Sequence, residues 1–316
     1  SDVPPGWSYN PSAWTQRAGI IALAFVQFFI ARHLAAYQLG HIPGAWDPVF
    51  GEGTRQVLDS DVSKAFPVSD AGLGAATYLL EALTGFLGGT RRWRTMPWAV
   101  ALFGVMIVPV GVVSIVLVVL QPVAVGAWCG LCLATAALTV VMIAPAVDEL
   151  VATGQFLLRA RRAGQPLWRT FWCGAADEGS SLDTLPTPRQ PLLQELAGGM
   201  ELNSIPWNLA VCVAVGMWLM AAPAVFASSS AAAANDQLAG ALIVTFAAIG
   251  FGEAARGGRL VNVAIGLWLL AAPWVLTGYT PTARWNDMAV GVAVILLSLR
   301  RGRVEGKFGS WDRYVV

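Results

Sequence analysis

The chain has 316 residues, of which 56% are hydrophobic and 12% are charged, and its net charge is +1. This near-neutral balance carries no information about partners. No nucleic-acid motif is visible, so we expect no binding to nucleic acid. Four runs contain no charged residue: 98–120, 122–147, 205–234 and 260–283. Each is longer than the ~20 apolar residues that cross a lipid bilayer as a helix. The sequence therefore predicts an all-α polytopic membrane protein in contact with membrane lipid.

Four membrane-spanning segments are predicted in the first half of the chain. They cover residues 18–40, 71–89, 98–120 and 125–147. The first carries Arg32 and His33 in its second half, and Glu81 interrupts the second. A polar stretch, 41–70, separates these two segments and contains two short helix-like patterns. The predicted fold of this half is a four-helix bundle beneath a polar cap.

The start of the fourth segment is the part of the sequence that suggests chemistry. Residues 128–133 read Trp-Cys-Gly-Leu-Cys-Leu and hold two of the four cysteines, Cys129 and Cys132. On a helix, positions i and i+3 lie on one face about one turn apart, so two thiols there can close and reopen a disulfide. The positive end of the helix dipole also favours the thiolate. The alternative is a pair of small apolar residues packed in a membrane helix, and the spacing alone does not decide between them.

The second half of the chain contains an internal repeat. Residues 216–223, Gly-Met-Trp-Leu-Met-Ala-Ala-Pro, reappear at 266–273 as Gly-Leu-Trp-Leu-Leu-Ala-Ala-Pro. The dipeptide Asn-Asp at 235–236 reappears at 286–287. Self-similarity at such a distance marks duplicated supersecondary units. We therefore predict a duplicated two-helix repeat, which brings the expected total to about eight transmembrane helices.

Positive charges predict the orientation of the chain. In an eight-helix arrangement, sixteen of the twenty Lys and Arg residues fall on the side that contains both termini. The exceptions are Arg32 within a span and Arg55, Lys64 and Arg284 on the other side. We therefore predict that both termini are cytoplasmic and that the cysteine pair lies at the outer face, beneath the 41–70 cap. Disulfides persist in that compartment, whereas the cytoplasm keeps thiols reduced.

Residues 18–147 resemble the vitamin K epoxide reductase family. The matching features are four helices, a long outer segment between the first two, and the 128–133 motif at the start of the fourth. Two shorter patterns also match: Val-Leu-Asp-Ser at 57–60, and Pro-Val-Ser-Asp-Ala-Gly at 67–72 followed by Tyr78. The topology, the orientation and the position of the cysteine pair each agree independently with this family.

This resemblance implies a quinone-linked thiol–disulfide oxidoreductase that uses ubiquinone or menaquinone. It assigns catalysis to Cys129 and Cys132, with Cys132 near the quinone and Cys129 exchanging with a thioredoxin-like partner of the outer compartment. Family members usually carry a second cysteine pair in the outer segment as a relay. The stretch 41–70 has no cysteine, and Thr54 stands about where one would be expected. Either a partner reaches the pair directly, or the protein has lost the reaction.

Three further residues are candidates for contact with the quinone. Trp128 adjoins the cysteine pair, and His33 lies at membrane depth, where ionisable groups are costly and often functional. Glu81 is an acid in a span and can pair with Arg32 or relay a proton. The alternatives are an interfacial position for Arg32 and His33 and a helix end at Glu81. No metal site is predicted, and the aspartates of the cap, Asp47 among them, are interpreted as turn and cap residues.

Two hypotheses about function follow. The first is the quinone-linked enzyme. The second is a non-catalytic membrane scaffold or accessory subunit of a larger membrane complex, motivated by the missing outer cysteines and the appended repeat. The remaining cysteines, Cys173 and Cys212, cannot reach the pair by topology and are interpreted as plain residues.

The second half resembles SPW-repeat membrane domains, which are named for a Ser-Pro-Trp motif. The motif is degenerate here, with Ala-Pro-Ala at 222–224 and Ala-Pro-Trp at 272–274. The predicted division is a reductase-like four-helix domain (1–163), a cytoplasmic linker (164–204), an SPW-like domain with four helices (205–303) and a cytoplasmic tail (304–316). The expected location is a bacterial inner membrane.

Overall fold

The computed structural model describes residues 2–65, 67–176, 206–300, 302, 304 and 306–315. In this part of the chain every regular element is helical. The helices are α1 (Trp14–Gln38), α2 (Glu52–Asp59), α3 (Asp70–Phe86), α4 (Arg92–Thr95), α5 (Pro97–Leu120), α6 (Gly130–Arg162), α7 (Leu167–Cys173), α8 (Trp207–Phe226), α9 (Ser230–Ile249), α10 (Arg259–Val275), α11 (Pro281–Leu299) and α12 (Asp312–Val315). Six of them, α1, α5, α6, α8, α9 and α10, are long and apolar enough to cross a membrane. The all-α membrane class is thus confirmed.

The other two predicted spans, α3 and α11, do not reach that length or hydropathy. Helix α3 has 17 residues, which is about 25 Å of helix. The first turns of α11 contain Arg284, Asn286 and Asp287, which lower its mean hydropathy. The count of eight spans therefore stays a prediction.

A single buried cluster takes residues from α1, α3, α5 and α6. Its members are Ile20, Ala24, Ala82, Phe103, Ile107, Met142 and Ala146. Helices α1 and α3 approach very closely, because a Cβ placed on Gly85 would lie 2.4 Å from Cγ1 of Ile21. Such contacts at small residues are the usual basis of helix association in lipid.

The segments between these helices also take definite shapes. The cap contains α2 and a short helical turn at Ser63–Ala65, in agreement with the two helix-like patterns of the sequence. A wide turn at Gln121–Val125 joins α5 to α6. Helix α7 begins the predicted linker, and the proline-rich remainder of that linker, from residue 177 onward, lies outside the described residues.

Both ends of the chain pack together on the side of the helices opposite the cap, which we call the terminal side. They share a buried cluster formed by Trp7, Trp93, Ala152, Phe156, Ala254, Phe308 and Val315. The Trp7 indole donates to Gln155 at 2.8 Å, and the Gln155 amide donates to the carbonyl of Phe308 at 2.8 Å. The segment predicted as a tail thus supplies two side chains to a core that it shares with the first half.

In the second half, equivalent glycines bring the two helices of each repeat copy together. A Cβ on Gly216 would lie 2.9 Å from the carbonyl oxygen of Gly240, and a Cβ on Gly266 would lie 2.8 Å from that of Gly291. The two helix pairs share one core, which contains Cys212, Leu219, Ala239, Ile243, Ala247, Leu269, Val290 and Val294. The duplication read from the sequence therefore corresponds to equivalent packing contacts.

Hydrogen bonds between the copies are reciprocal. Trp218 of the first copy donates to Asn286 of the second at 2.9 Å, and Trp268 of the second donates to Asn235 of the first at 2.7 Å. Such an exchange is what an approximate twofold relation between two copies produces.

Two carboxyl groups meet where the copies join. Asp236 and Asp287 are fully buried, and both lie within hydrogen-bonding distance of the Tyr279 hydroxyl. The Tyr279 hydroxyl donates to Asp287 at 2.8 Å. Two adjoining buried carboxyl groups are compatible when one of them holds a proton.

Among the described residues, four arginines of the positively charged terminal side are buried, and three of them, Arg17, Arg92 and Arg256, donate to carbonyl oxygens at helix ends. Arg17 donates to the carbonyl oxygens of Gly85, at 3.0 Å, and Leu87, at 2.8 Å, beside the end of α3. The other two donate to carbonyl oxygens at the ends of α3 and α9. Unpaired carbonyl groups at a helix C-terminus attract such cations. These arginines therefore cap helix ends, in addition to supplying part of the positive charge from which the orientation of the chain is predicted.

Candidate functional site

The two cysteines lie at the start of α6 and form a disulfide bond. Cys129 is the N-cap residue, and its Sγ accepts a hydrogen bond of 3.1 Å from the backbone N–H of Cys132. The backbone N–H of Cys129 donates to Oε1 of Gln121, at 2.9 Å, in the turn after α5. Because N–H groups of the first helical turn point at Cys129, they stabilise a thiolate there when the disulfide is reduced.

Asp47 fastens the cap onto the start of α6. Its carboxylate accepts a hydrogen bond of 2.7 Å from the backbone N–H of Gly130, between the two cysteines. It also accepts from the backbone N–H of Val49, at 2.8 Å, and from the hydroxyl of Thr54. Burial by itself would raise the pKa of Asp47, but these hydrogen bonds lower that pKa below its usual value. The carboxylate is therefore ionised at neutral pH and complements the positive end of the helix.

Helix α2 completes the contact between the cap and the motif. Thr54, at about the position expected for a shuttle cysteine, is fully buried. A Cβ on Gly53 would lie 2.5 Å from the carbonyl oxygen of Trp128, so only glycine allows α2 to come this close. Sequence reasoning missed the role of Asp47, because a single aspartate in a loop carries no signal for the helix that it will reach.

The cap leaves little of the disulfide accessible. Cys129 is 0% exposed, and the half-buried Cys132 packs against a cluster of Leu34, Ala45 and Leu58. These three residues come from α1, the cap loop and α2. A thiol reagent therefore reaches either sulfur only after the cap has moved.

The residues predicted to contact a quinone lie in different places. Trp128 lines a cavity beside the disulfide. His33 is half-buried, and its Nε2 accepts a hydrogen bond of 3.2 Å from the backbone N–H of Trp46 in the cap. Glu81 is fully buried in α3, and its Oε1 has no hydrogen-bond partner among the described residues. Arg32 is exposed and, in the described part of the chain, forms no ion pair with Glu81.

A group of polar side chains that sequence reasoning did not single out lies between α1, α3 and α6. Gln27 is fully buried and donates to the carbonyl oxygen of Thr135, at 3.0 Å, and to the hydroxyl of Thr139, at 2.6 Å. The Tyr78 hydroxyl lies close to the hydroxyls of both threonines and of Ser114. The threonines stand three and seven residues after the second cysteine, so their helical spacing is the signal that could have revealed them.

A cavity of about 1400 Å³ lies between the two halves of the chain. Helices α5 and α6 line it on one side, together with Trp128 and Leu133, which flank the cysteine pair; α8 and α9 line it on the other side. Neither cysteine lines it, whereas the hydroxyl-bearing Ser114 and Thr139 do. Among the described residues, none with a charged side chain contributes to its surface.

These features define a class of protein: a helical membrane protein that holds a disulfide in the first turn of a helix, beneath a cap and beside an apolar cavity. Comparison with known families agrees. Residues 18–147 match the model of the vitamin K epoxide reductase family, and residues 206–301 match that of the SPW repeat domain. Both resemblances seen in the sequence, to the vitamin K epoxide reductase family in the first half and to the SPW repeat domain in the second, are thus confirmed. No curated protein and no solved structure matches the chain.

The family of the first segment bears on the chemistry. In general its domain indicates a membrane quinone-linked disulfide oxidoreductase, commonly paired with thioredoxin-like proteins. The position of Cys129 and Cys132 in α6 is compatible with that chemistry, whereas the buried Thr54 offers no relay thiol.

We expect Asp47→Asn to loosen the cap and expose the disulfide. Losing a hydrogen bond to a charged group costs about 1.5–3 kcal/mol, so reduction by a phosphine should become at least about tenfold faster. Asp59→Asn is the matched control, because Asp59 accepts a hydrogen bond from Tyr37 at the exposed edge of the same cap. Equal reduction rates in the two variants would show that Asp47 does not hold the cap closed.

The lowered pKa of Asp47 also sets the sign of a pH effect. The carboxylate stabilises the cap above the pKa of an unfolded aspartate, about 4, and this stabilisation is lost as pH falls through the lower folded value. We compare the rate at which the phosphine reduces the wild-type disulfide with its rate for a small-molecule disulfide at the same pH. This relative rate should rise only below about pH 4. The Asp47→Asn variant should show no such step.

Proposed function

We propose that this protein is a membrane quinone-linked thiol–disulfide oxidoreductase whose reactive groups are Cys129 and Cys132. The observation that carries the proposal is the disulfide in the first turn of α6, where N–H groups stabilise a thiolate and Trp128 adjoins an apolar cavity. The quinone is ubiquinone or menaquinone, and the thiol partner is a thioredoxin-like protein of the outer compartment.

The reaction moves two electrons from a dithiol to a quinone. A partner thiolate attacks Sγ of Cys129, the disulfide breaks, and Cys132 leaves as a thiolate. The second thiol of the partner then displaces Cys129, so that the partner departs as a disulfide. Finally the two cysteines close their disulfide again, and two electrons and two protons pass to the quinone, giving a quinol. The partner is oxidised, the quinone is reduced, and the cysteine pair is restored.

The residues around the pair suit a quinone, which has a flat ring with two carbonyl acceptors. Trp128 offers an aromatic face beside the disulfide, and Ser114 offers a hydroxyl donor on the cavity wall. The hydroxyl of Thr139, which also lines the wall, donates to the carbonyl oxygen of Thr135 at 3.0 Å. The other predicted contacts, His33 and Glu81, act less directly in this proposal. His33 supports the cap through Trp46, and the buried Glu81 lies one turn from Tyr78, where it can relay a proton.

One observation favours a second function. Cys129 is fully buried, and Thr54 supplies a hydroxyl where a relay thiol would be expected. With its cap closed, the pair is isolated from any thiol partner. The alternative is therefore a non-catalytic membrane scaffold or accessory subunit of a larger membrane complex.

We also propose that α3 and α11 cross the membrane, for eight spans in all. Helix α3 packs closely along α1, and α11 is the counterpart of α9 in the repeat. The positive charges then put both termini in the cytoplasm and the disulfide at the outer face of a bacterial inner membrane. The domain limits proposed from the sequence are 1–163, 164–204, 205–303 and 304–316.

Quinol formation tests the proposal. The full chain in lipid nanodiscs receives dithiothreitol as the thiol donor and a short-chain ubiquinone or menaquinone as the acceptor. We expect quinol to form at a rate that falls to the protein-free background in the Cys129→Ser variant. A background rate for the wild type, with its disulfide shown to be reducible, would contradict the enzyme and support the scaffold.

A further inference from the structure

The repeat domain contributes a wall to the cavity beside the disulfide. Among the described residues, this wall comes from the first copy, α8 and α9, and not from α10 and α11. Along α9 it extends from Ala231 to Ala248, which is about 26 Å of helix. This length is close to the thickness of the hydrocarbon core of a bilayer, about 30 Å. The cavity is therefore long and runs along the helices.

The first copy carries smaller side chains than the second at positions that line the cavity. Ala224 stands where the second copy keeps the motif tryptophan, Trp274, and Ala234 corresponds to Trp285. Three more positions follow this rule: Ala241, Thr245 and Ala248 correspond to Val292, Leu296 and Leu299. The glycines at the helix contacts, by contrast, are the same in both copies. The first copy is thus reduced in volume on the face that meets the cavity.

The chemistry of the lining selects the kind of occupant. In the described part of the chain, no lysine or arginine lines the cavity to hold a lipid phosphate, and most of its surface is aliphatic. At one end the lining includes Trp128 and Leu133, on either side of the redox motif. An occupant that fits both ends has a long apolar chain and a flat group that reacts at the disulfide.

We propose that the first SPW copy forms the wall of the site that holds the isoprenoid chain of the quinone, with the ring at the Trp128–Leu133 end. This inference rests on the proposed function and deepens it. The alanines of α8 and α9 provide the space. Met217 and Met220, which correspond to Leu267 and Leu270 in the second copy, provide flexible contacts to an irregular chain.

The test blocks the end of the cavity far from the disulfide through Ala248→Trp, because Ala248 lines the cavity at the last turn of α9. The full chain in nanodiscs is assayed with dithiothreitol and either a short-chain or a long-chain quinone. Each CH₂ group kept out of an apolar site weakens binding about fourfold. We therefore expect KM for the long-chain quinone to rise at least about tenfold, while KM for the short-chain quinone stays unchanged. Long-chain quinone retained per mole of protein after detergent washing should fall in parallel.

Ala271→Trp is the matched control, because Ala271 is the exposed counterpart in the second copy of the cavity-lining Ala221. Thr245→Trp serves as a second cavity variant if Ala248→Trp does not fold, because Thr245 lines the cavity one turn earlier on α9. Equal KM values and equal retained quinone in the cavity and control variants would overturn the inference, as would retention of phospholipid in place of quinone. Absence of quinol from either quinone in the wild type would refute the proposed function, and the retained quinone would still report on the cavity.

Discussion

Replacing Cys132 with serine should reduce quinol formation to the protein-free background and should leave Cys129 able to form a lasting mixed disulfide. With oxidised glutathione as the probe, the Cys129 thiolate attacks one sulfur and releases one glutathione. The bound glutathione then stays, because the sulfur that would displace it is missing. Intact-mass analysis after acid quenching and alkylation measures this adduct.

The other cysteines require a control background. Cys173 is exposed and Cys212 is buried, so both are first replaced with serine to remove competing thiols. In that background we expect the wild-type pair to return to its internal disulfide and to keep no glutathione. The Cys129→Ser variant should keep no adduct either, because the N–H group of the first helical turn stabilises a thiolate at Cys129 and not at Cys132. A Cys132→Ser variant with full quinol formation, or one that never forms the adduct, would contradict the assigned roles.

Arg92→Ala should lower the free energy of unfolding by about 3–5 kcal/mol, the cost of leaving one partner of a buried ion pair alone. The side chains of Arg92 and Glu149 are each only 3% exposed and pair through two nitrogens and both carboxylate oxygens. Arg92 also donates to the carbonyl of Thr84, at 2.9 Å, near the end of α3. One guanidinium thus joins α3 to α6. Unfolding of the full chain in mixed detergent micelles measures the loss.

Arg91→Ala is the control for charge and position. Arg91 pairs with Asp2, but the side chains are 55% and 36% exposed, and pairs exposed to this extent contribute about 0–1 kcal/mol. If the two variants lose similar stability, the pair with Glu149 does not hold α3 to α6. Arg92→Lys should fall between them, because an ammonium cannot reproduce the bidentate geometry.

The parts of this protein that could be predicted from the sequence depend on neighbours along the chain. Hydropathy identified the six long spans, and spacing placed Cys129 and Cys132 within one turn of each other. Self-similarity located the repeat, and both family resemblances were confirmed. Length and composition did not establish whether α3 and α11 cross the membrane, because a short or polar-ended helix can span a membrane only with help from neighbouring helices.

Only the tertiary structure decided what surrounds the cysteine pair. Asp47 binds the N–H of Gly130, 83 positions away, and Arg92 pairs with Glu149 across 57 positions. Sequence reasoning assigned Asp47 to a turn and the arginines to topology. Each assignment agreed with the residues nearby in the sequence. The sequence shows that a residue is polar, but it does not show which distant group will become its hydrogen-bond or ion-pair partner.

The cavity, too, was decided only by the tertiary structure. Ala224 differs from Trp274 in the sequence, yet this difference looks like decay of a motif until α8 and α9 are seen to face α5 and α6. The sequence by itself determined the long helices, the repeat and the position of the cysteine pair, since hydropathy and spacing act over one or two turns. Burial, capping and the space between the halves depend on which helices meet, and that is decided by the packing of the whole chain.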